Sequence, residues 1–336
     1  MRKLASIQKI KELNPIPDAD MIEVATVLGW KVVVKKGEFK VGDLCCYFEV
    51  DSLIPRAEWN DFLADKNKPD APVRLRTIKL RKQVSQGLCM PLSIVPSSFR
   101  PDREGEDITV TMGVEKYEPP IPPSLSGEVR GCFPSIIPKT DEDRIQTVPD
   151  LLDEILNTEC YWTVKMDGTS GTFLNLDGDH QVCSRNLSLK DDGKNTYWKM
   201  YHQYNMKELF DRIGNFAIQG EVCGEGIQKN KMQIKGHELF VFNVYDISEG
   251  KFLDYANLVS FCADNGLNLV PVFKVGNFDI KTVDEIVEIG TQCKYACGAL
   301  GEGYVIRPTT ERYSNVLSGR MSFKIINNKY LIKNKE

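Results

Sequence analysis

Among the ten cysteines of this 336-residue chain there is no Cys-x-x-Cys pair. Cys45 and Cys46 are adjacent, and Cys293 and Cys297 stand four apart with no histidine pair nearby, so zinc-site spacing is missing. Free thiols in a reducing compartment are the plain reading. Nor is there an unbroken apolar run of the roughly 20 residues that a membrane helix needs. Met1 to Ser6 lead into Gln8, Lys9, Lys11 and Glu12, not into an apolar stretch. That gives no signal peptide and predicts an intracellular protein, in cytoplasm or nucleus, with no membrane partner. Positive charge is not in excess either: 43 Lys and Arg against 47 Asp and Glu leave a net charge of −4. A broadly basic nucleic-acid coat is excluded, but a local basic patch is not. The remaining composition, 42% hydrophobic and 27% charged, is that of a globular protein.

The sharpest break in the chain is Pro119-Pro120-Ile121-Pro122-Pro123, followed by Ser124, Ser126 and Gly127. Such a run reads as a linker. It divides the chain into a domain over 1–118, a connection over 119–146 and a second domain over 147–336. Before the break the pattern is short and β-rich: Ile22 to Val27, Trp30 to Val34, Leu44 to Val50, an alternating Val73 to Leu80, and Gly87 to Leu92. Gly29, Gly37 and Gly42 mark turns between them. Several short strands at this spacing predict a small barrel of the OB type, another small all-β module being the alternative. A barrel tryptophan is more often core than a base-stacking platform, so Trp30 is read as core.

After the break, helical and strand patterns mix. Val148 to Leu156, Asn257 to Asp264 and Thr282 to Gly298 read as helices. Tyr161 to Lys165, Ala217 to Cys223, Leu239 to Ile247 and Gly303 to Arg307 read as strands. The fold class is α+β, an all-β barrel followed by an α+β domain on antiparallel sheets.

Chemistry-bearing residues lie in five segments of this second part. Lys165-Met166-Asp167-Gly168 follows a strand, so Lys165 and Asp167 share a side, and Gly168 permits a tight exit. A lysine is a poor nucleophile until its surroundings favour the free amine. A surface lysine before a turn is nevertheless the ordinary meaning of such a tetrapeptide. Ser184-Arg185-Asn186 suits a phosphate or terminal hydroxyl, or a solvated turn. Glu221 lies within the apolar stretch Ile218 to Gly224, where a carboxylate must meet a polar cleft or a strand end. Glu302 sits between Gly301 and Gly303, which allow close approach of a ligand. Lys324 lies in Ser322 to Tyr330 and can snorkel or reach a phosphate.

In order, these segments resemble the signature of the covalent nucleotidyltransferases, the superfamily of ligases and capping enzymes. An aromatic strand, Phe240 to Ile247, falls between the second and third carboxylate segments as it does there. Within the superfamily the chain is most similar to ATP-dependent RNA ligases with an N-terminal OB-like module, the nick-sealing RNA-repair group of the type found in Deinococcus and Naegleria. Pro138 to Gln146 resembles that group's lead-in to the catalytic domain. Only twelve residues follow Lys324, so an OB module is expected at the N-terminal side. The resemblance implies a monomer that joins RNA 3′-hydroxyl and 5′-phosphate ends, as in a nicked duplex. It does so through AMP carried on Lys165. ATP and Mg²⁺ or Mn²⁺ are the implied cofactors. Asp167, Glu221 and Glu302 would hold the metal, Lys324 would contact the α-phosphate, and Phe242 would stack on adenine, with Phe240 its rival. Arg185 and Arg144 would contact nucleotide or RNA. A DNA ligase, a capping enzyme or a non-catalytic RNA-binding protein are the competing readings.

The pattern departs from the family in places. Relatives carry Lys-x-Lys in the last segment, where this chain has Ser322 or Ile326 for one of the two. Arg320 and Lys329 are candidates to substitute. Position 170 is serine where some RNA ligases have asparagine. An RNA surface must be local, and Arg74, Arg76, Lys79, Arg81 and Lys82 supply one candidate stretch, a solvated edge strand being its alternative. Pro15 to Val24 also looks like opening segments of tRNA-binding OB modules.

Overall fold

The computed structural model describes residues 3–65, 68, 70–97, 99, 101, 103–118 and 127–334, and the proline run of 119–123 lies outside them. Two compact units emerge. Met1–Pro119, Gln146–Pro149 and Asn328–Glu336 form the first, and Pro120–Ile145 with Asp150–Asn327 form the second.

In the first unit, strands β1 (Ala5–Pro15), β2 (Ile22–Val27), β3 (Trp30–Lys35) and β4 (Leu44–Phe48) follow one another as short β-branched and aromatic runs. β5 (Ser52–Ile54), β6 (Val73–Arg74), β7 (Ile78–Leu80), β8 (Gln83–Ser85), β9 (Leu88–Met90) and β10 (Glu115–Lys116) complete it. The main antiparallel sheet runs β3-β2-β1-β4-β9. β1 is shared between two partners, β4 through Ala5–Lys9 and β2 through Ile10–Pro15, and a bulge between Ile10 and Glu12 bends it. Alternation along β3 sends Trp30, Val32 and Val34 inward, where they pack with Ala25, Val27 and Tyr47. Trp30 is fully buried, as expected for core.

The run from Val73 to Leu80, expected as one strand, is two. β6 pairs with β5, and β7 pairs with β8 in a separate hairpin. Leu75 and Thr77 between them are buried, and Leu75 N–H donates to Ser52 O, which pins the chain at the point of division.

The second unit holds two large sheets and a separate two-stranded one, Tyr313–Ser314 with Gly319–Arg320. β11 (Val129–Cys132), β12 (Asp143–Arg144), β13 (Glu159–Val164), β14 (Thr169–Leu176), β15 (Asp179–Cys183), β16 (Leu187–Leu189), β17 (Phe216–Gly224), β18 (His237–Asp246) and β19 (Lys251–Phe252) come first. β20 (Asn268–Leu269), β21 (Val272–Asn277), β22 (Gly303–Pro308), β23 (Tyr313–Ser314), β24 (Gly319–Arg320) and β25 (Phe323–Ile326) follow. The larger sheet has the order β11-β16-β15-β14-β17-β18-β19, and β20 pairs with β18 in parallel. The smaller has the order β12-β25-β22-β13-β21, with β12 parallel to β25 and the rest antiparallel.

Helices α1 (Leu151–Ile155), α2 (Thr196–Gln203), α3 (Met206–Ile213), α4 (Tyr255–Asp264), α5 (Val283–Gly290) and α6 (Asn328–Asn334) complete the chain. Asn195 caps α2 by accepting from Trp198 N–H, and Tyr197, Met200 and Tyr201 recur on its buried face against β17 and β18 residues. α5 starts at its Thr282 cap but stops at Gly290, short of the expected Gly298. The chain must turn there, because Cys293 O accepts from Gly301 N–H and brings Glu302 to the mouth of β22. Among the described residues no helix is long and apolar enough to cross a membrane.

Candidate active site

Lys165 is the first residue past β13, and its N–H donates to Gly303 O at 2.8 Å. That backbone bond places its side chain beside the start of β22, where Lys165 Nζ lies 2.8 Å from Glu302 Oε2. The backbone of Glu302 is fixed from two sides. Its N–H donates to Tyr295 Oη at 3.1 Å, its carbonyl accepts from Asn327 N–H, and Tyr295 Oη in turn donates to Lys165 O. Two residues after the lysine, Asp167 pairs with Lys231 Nζ at 2.9 Å, both largely buried.

Glu221 reaches the same place from β17. Its Oε1 accepts from Gly168 N–H at 3.1 Å, and it stands opposite Ser170 in the β14–β17 register. Gly168 does more than permit a tight exit from the strand. Crowding across the sheet is the stronger reason for it: a Cβ there would lie 2.4 Å from Val222 O and 2.9 Å from Glu221 Cγ. Lys324 lies on β25 opposite Val305 and beside Arg144 of β12.

The electrostatics follow from gathering three carboxylates and three lysines, Lys165, Lys231 and Lys324. Burial pushes Glu221 up to about 7, with Lys165 pulling it back and Glu302 adding to the rise. Burial also raises Glu302, against the opposing pull of Lys165 and Lys324. For Lys165, burial favours the free amine, but Glu302, Glu221 and Asp167 outweigh it and hold the group above its ordinary value. At rest Lys165 is therefore an ammonium ion.

A bulge decides how the aromatic strand faces this cluster. Gln219 pairs with Asn243 and Gly220 with Val241, so Phe242 is the extra residue of β18. Val241 and Val244 point into the core, whereas Phe240 and Phe242 are half-buried outside it. Phe240 stands opposite Glu221. Both candidate adenine platforms thus share the carboxylate face.

The segment that leads into the catalytic domain is stitched to the motifs residue by residue. Pro138 O accepts from Gln219 Nε2 and Thr140 Oγ1 meets Ser170 Oγ at 2.9 Å. Asp141 takes Arg185, and Glu142 takes Arg307 at 2.8 Å. Arg185 is exposed and held by this ion pair.

Of the two positions that could have carried a second lysine, Ile326 is buried opposite Gly303 and Ser322 Oγ accepts from Arg307 Nε at 2.9 Å. The buried Arg307 therefore takes up the space around position 322. Arg320 is committed elsewhere, doubly to Glu311, to Asn243 Oδ1 at 2.8 Å and over the Phe252 ring. Lys329 groups with the first unit. Glu142 and Arg307 fall within segments that carry the family resemblance without being singled out in them, and Lys231 carries no sequence signal at all. Lys231 lies in an irregular loop after β17, where no periodicity shows which way it points.

Comparison with known proteins fits this geometry. The RNA ligase family profile matches residues 158–326. Naegleria gruberi RNA ligase with PPi shares 36% identity with a TM-score of 0.89, covering 100% of this chain and 99% of that one.

This chain belongs to the RNA ligase family.

Mutants of the same Naegleria gruberi enzyme, one with ATP and Mn and one with AMP and Mn, match at 34% and 35% identity. Each has a TM-score of 0.89 and covers 99% of both chains. An OB-fold domain profile matches residues 4–92, so the barrel of this RNA ligase is an OB fold preceding its α+β ligase domain. A search of curated proteins returned no match.

The carboxylates of this RNA ligase offer oxygen donors only, the set preferred by Mg²⁺ and Mn²⁺. Among the described residues no three His, Cys, Asp or Glu side chains converge closely enough to ligate one ion directly. Ammonium groups stand beside two of the carboxylates instead. The residues fit a cation held through its own waters.

Proposed function

We propose that this RNA ligase uses ATP to join RNA 3′-hydroxyl and 5′-phosphate ends, as at a nick in a duplex, through AMP carried on Lys165. The observation that carries the reading is Lys165 Nζ set 2.8 Å from Glu302 and ringed by Glu221 and Asp167 at a strand end. A buried lysine among carboxylates is poised to give up its proton when those charges are engaged otherwise.

Asp167, Glu221 and Glu302 would hold a hydrated Mg²⁺ or Mn²⁺, which would supply charge neutralisation for the triphosphate and favour the free amine at Lys165. Lys165 gives its ammonium proton to solvent, and its free Nζ attacks the α-phosphorus of ATP. An N–P bond forms, the bond to the β-phosphate oxygen breaks, and pyrophosphate leaves. Lys324 balances charge on the α-phosphate, with Arg144 at its side. Phe242, with Phe240 the rival, stacks on adenine. Lys231 keeps Asp167 in place before the nucleotide arrives. An RNA 5′-phosphate oxygen next attacks the same phosphorus and frees Lys165. The 3′-hydroxyl oxygen finally attacks the 5′-phosphate, losing its proton as AMP departs, with Arg185 positioned for the RNA end. We place the protein inside the cell as a monomer, in keeping with ten free cysteines, eight of them buried.

Incubation with α-³²P-ATP and Mg²⁺ or Mn²⁺, followed by a denaturing gel, tests the reading. Wild type is expected to carry radiolabel that acid removes and alkali does not, as for a phosphorus–nitrogen bond, and Lys165→Ala none. Folded, unadenylated wild type that takes no label from ATP would overturn the proposal, and label from GTP alone would replace it with capping chemistry.

A further inference from the structure

A line of polar side chains runs through the second unit, and the chemistry above leaves it unused. It starts beside the β23–β24 hairpin. Glu311 is anchored by its N–H, which donates to Asp254 Oδ1 at 2.6 Å. Its carboxylate takes the Arg320 guanidinium in a fork, Nε at 2.7 Å with Nη2 beside it. Arg320 lies 3.9 Å over the Phe252 ring and donates from Nη1 to Asn243 Oδ1 at 2.8 Å. Asn243 Nδ2 donates to Gln219 Oε1 at 3.0 Å, and Gln219 Nε2 donates to Pro138 O at 2.8 Å. The line thus joins the hairpin, β18, β17 and the lead-in segment.

Every bond in it has one sense. A guanidinium only donates and a carbonyl only accepts, so the two amides between them are held in a single orientation. Gln219 and Asn243 are 0% and 3% exposed, and there a broken link leaves a polar group with nothing to meet. Packing alone does not fill this place: a cavity of about 180 Å³ lies alongside, with Pro138, Asn243, Phe252 and Arg320 in its lining.

The line ends on both sides of the β18 bulge. Gln219–Asn243 is the cross-strand pair at one side of it, Gly220–Val241 the pair at the other, and Phe242 is the residue between. Gly220 lets the strands close on its side, since a Cβ there would lie 2.7 Å from Phe240 O. The bulge has an easy route of escape, a step along β18 that sets Phe242 opposite Gln219 and Asn243 opposite Ile218. Phe242 would then move by about one residue, roughly 3.3 Å along the strand. Asn243 would turn toward the core, where its amide has a cost. The Asn243–Gln219 bond, with Arg320 holding Asn243 from the other side, opposes that step.

We propose that Arg320 and Asn243 are positioning residues for the nucleotide: they hold the β18 bulge in place and so set the Phe242 ring for the adenine base. The proposal rests on the RNA ligase reading and on Phe242 as the adenine platform. Neither residue acts on the reacting atoms. Their effect falls on ATP affinity, and little of it on the transfer of AMP once ATP is bound.

The test uses full-length, unadenylated protein, with the rate of lysyl-adenylate labelling followed against ATP concentration. Phe242→Ala is expected to raise the apparent KM for ATP about 10- to 100-fold, as for loss of one base–aromatic stack. Arg320→Ala should raise it about 5- to 10-fold, with the saturating rate within about threefold of wild type. Arg320→Lys, which can keep one bond but not the fork, should fall between. The deciding reading is Arg320→Ala/Phe242→Ala. Its KM should match that of Phe242→Ala alone, because the ring that Arg320 sets is gone. Effects on KM that multiply would overturn the proposal, as would Arg320→Ala with an unchanged KM or with a loss confined to the saturating rate. If Arg320→Ala does not fold, Arg320→Lys takes its place in the same cycle. Phe242→Ala with the wild-type KM also overturns the proposal, by removing the platform. Wild type without label fails the ligase reading itself, a separate outcome.

Discussion

At Glu221, burial raises the carboxyl to about 7, whereas an unfolded glutamate titrates at about 4.3. Between those values the folded chain keeps a proton that the unfolded chain has released. Stability contributed by this residue therefore falls as pH rises through that window. Above it the fold carries an ionised, poorly solvated carboxylate. Glu221→Gln keeps an acceptor for Gly168 N–H and removes that charge. At pH 8 it is expected to melt about 2–4 °C higher than wild type, while adenylylation falls steeply. A lower melting temperature at pH 8, measured by calorimetry, would show that Glu221 contributes stability as well as chemistry. Glu221 was legible in the sequence as a candidate, because an acid inside an apolar strand is costly to bury unless a polar site receives it. Lys231 was not, since the contact with Asp167 closes across a long loop.

The element scale shows what periodicity reads and what it misses. The β-branched run Ile22 to Val27 marks β2 to the residue, and the aromatic run marks β18. The β18 bulge that sets Phe242 beside Asn243 leaves no mark in the sequence, because it is a mismatch between two strands and not a property of one. α1 illustrates a tie made late in the chain. Its Glu154 accepts from Ser314 Oγ, from Asn315 N–H at 2.7 Å and from Val316 N–H, which holds the β23–β24 turn. The Ser314 bond leads the other two in lowering this carboxyl below its ordinary value. The stabilisation is present above the unfolded value and is lost as pH falls through the depressed folded one. Glu154→Gln should melt below wild type at pH 7, and the gap should close towards pH 3. A gap unchanged with pH would mean that the ionised carboxylate is not what matters.

For the molecule as a whole, chain order and compact units do not coincide. α6 is last in sequence but belongs with the first unit, as do Gln146–Pro149, where Gln146 O accepts from Gly29 N–H and Thr147 Oγ1 donates to Glu49. Tyr330 of α6 is fully buried and Leu331 nearly so. Tyr330→Ala is expected to destabilise by about 3–5 kcal/mol, as other large aromatic truncations do. Hydrogen exchange should then quicken in β1 and β4 and stay slow in β22 and β13. Quickening confined to β22 and β25 would assign α6 to the second unit.

By itself the sequence determined the two fold types, the order of the candidate site segments and the family. Alternation, turn glycines and a set of ordered short motifs are local properties, and local properties survive in a one-dimensional string. Tertiary structure decided the rest. It split Val73–Leu80 between two sheets, used Arg74 internally while leaving four other cations to solvent, filled the place beside Ser322 with Arg307, and set Lys231 on Asp167. Each of these is a choice among partners distant in sequence, settled by which buried charge or hydrogen-bonding group would otherwise go unmatched.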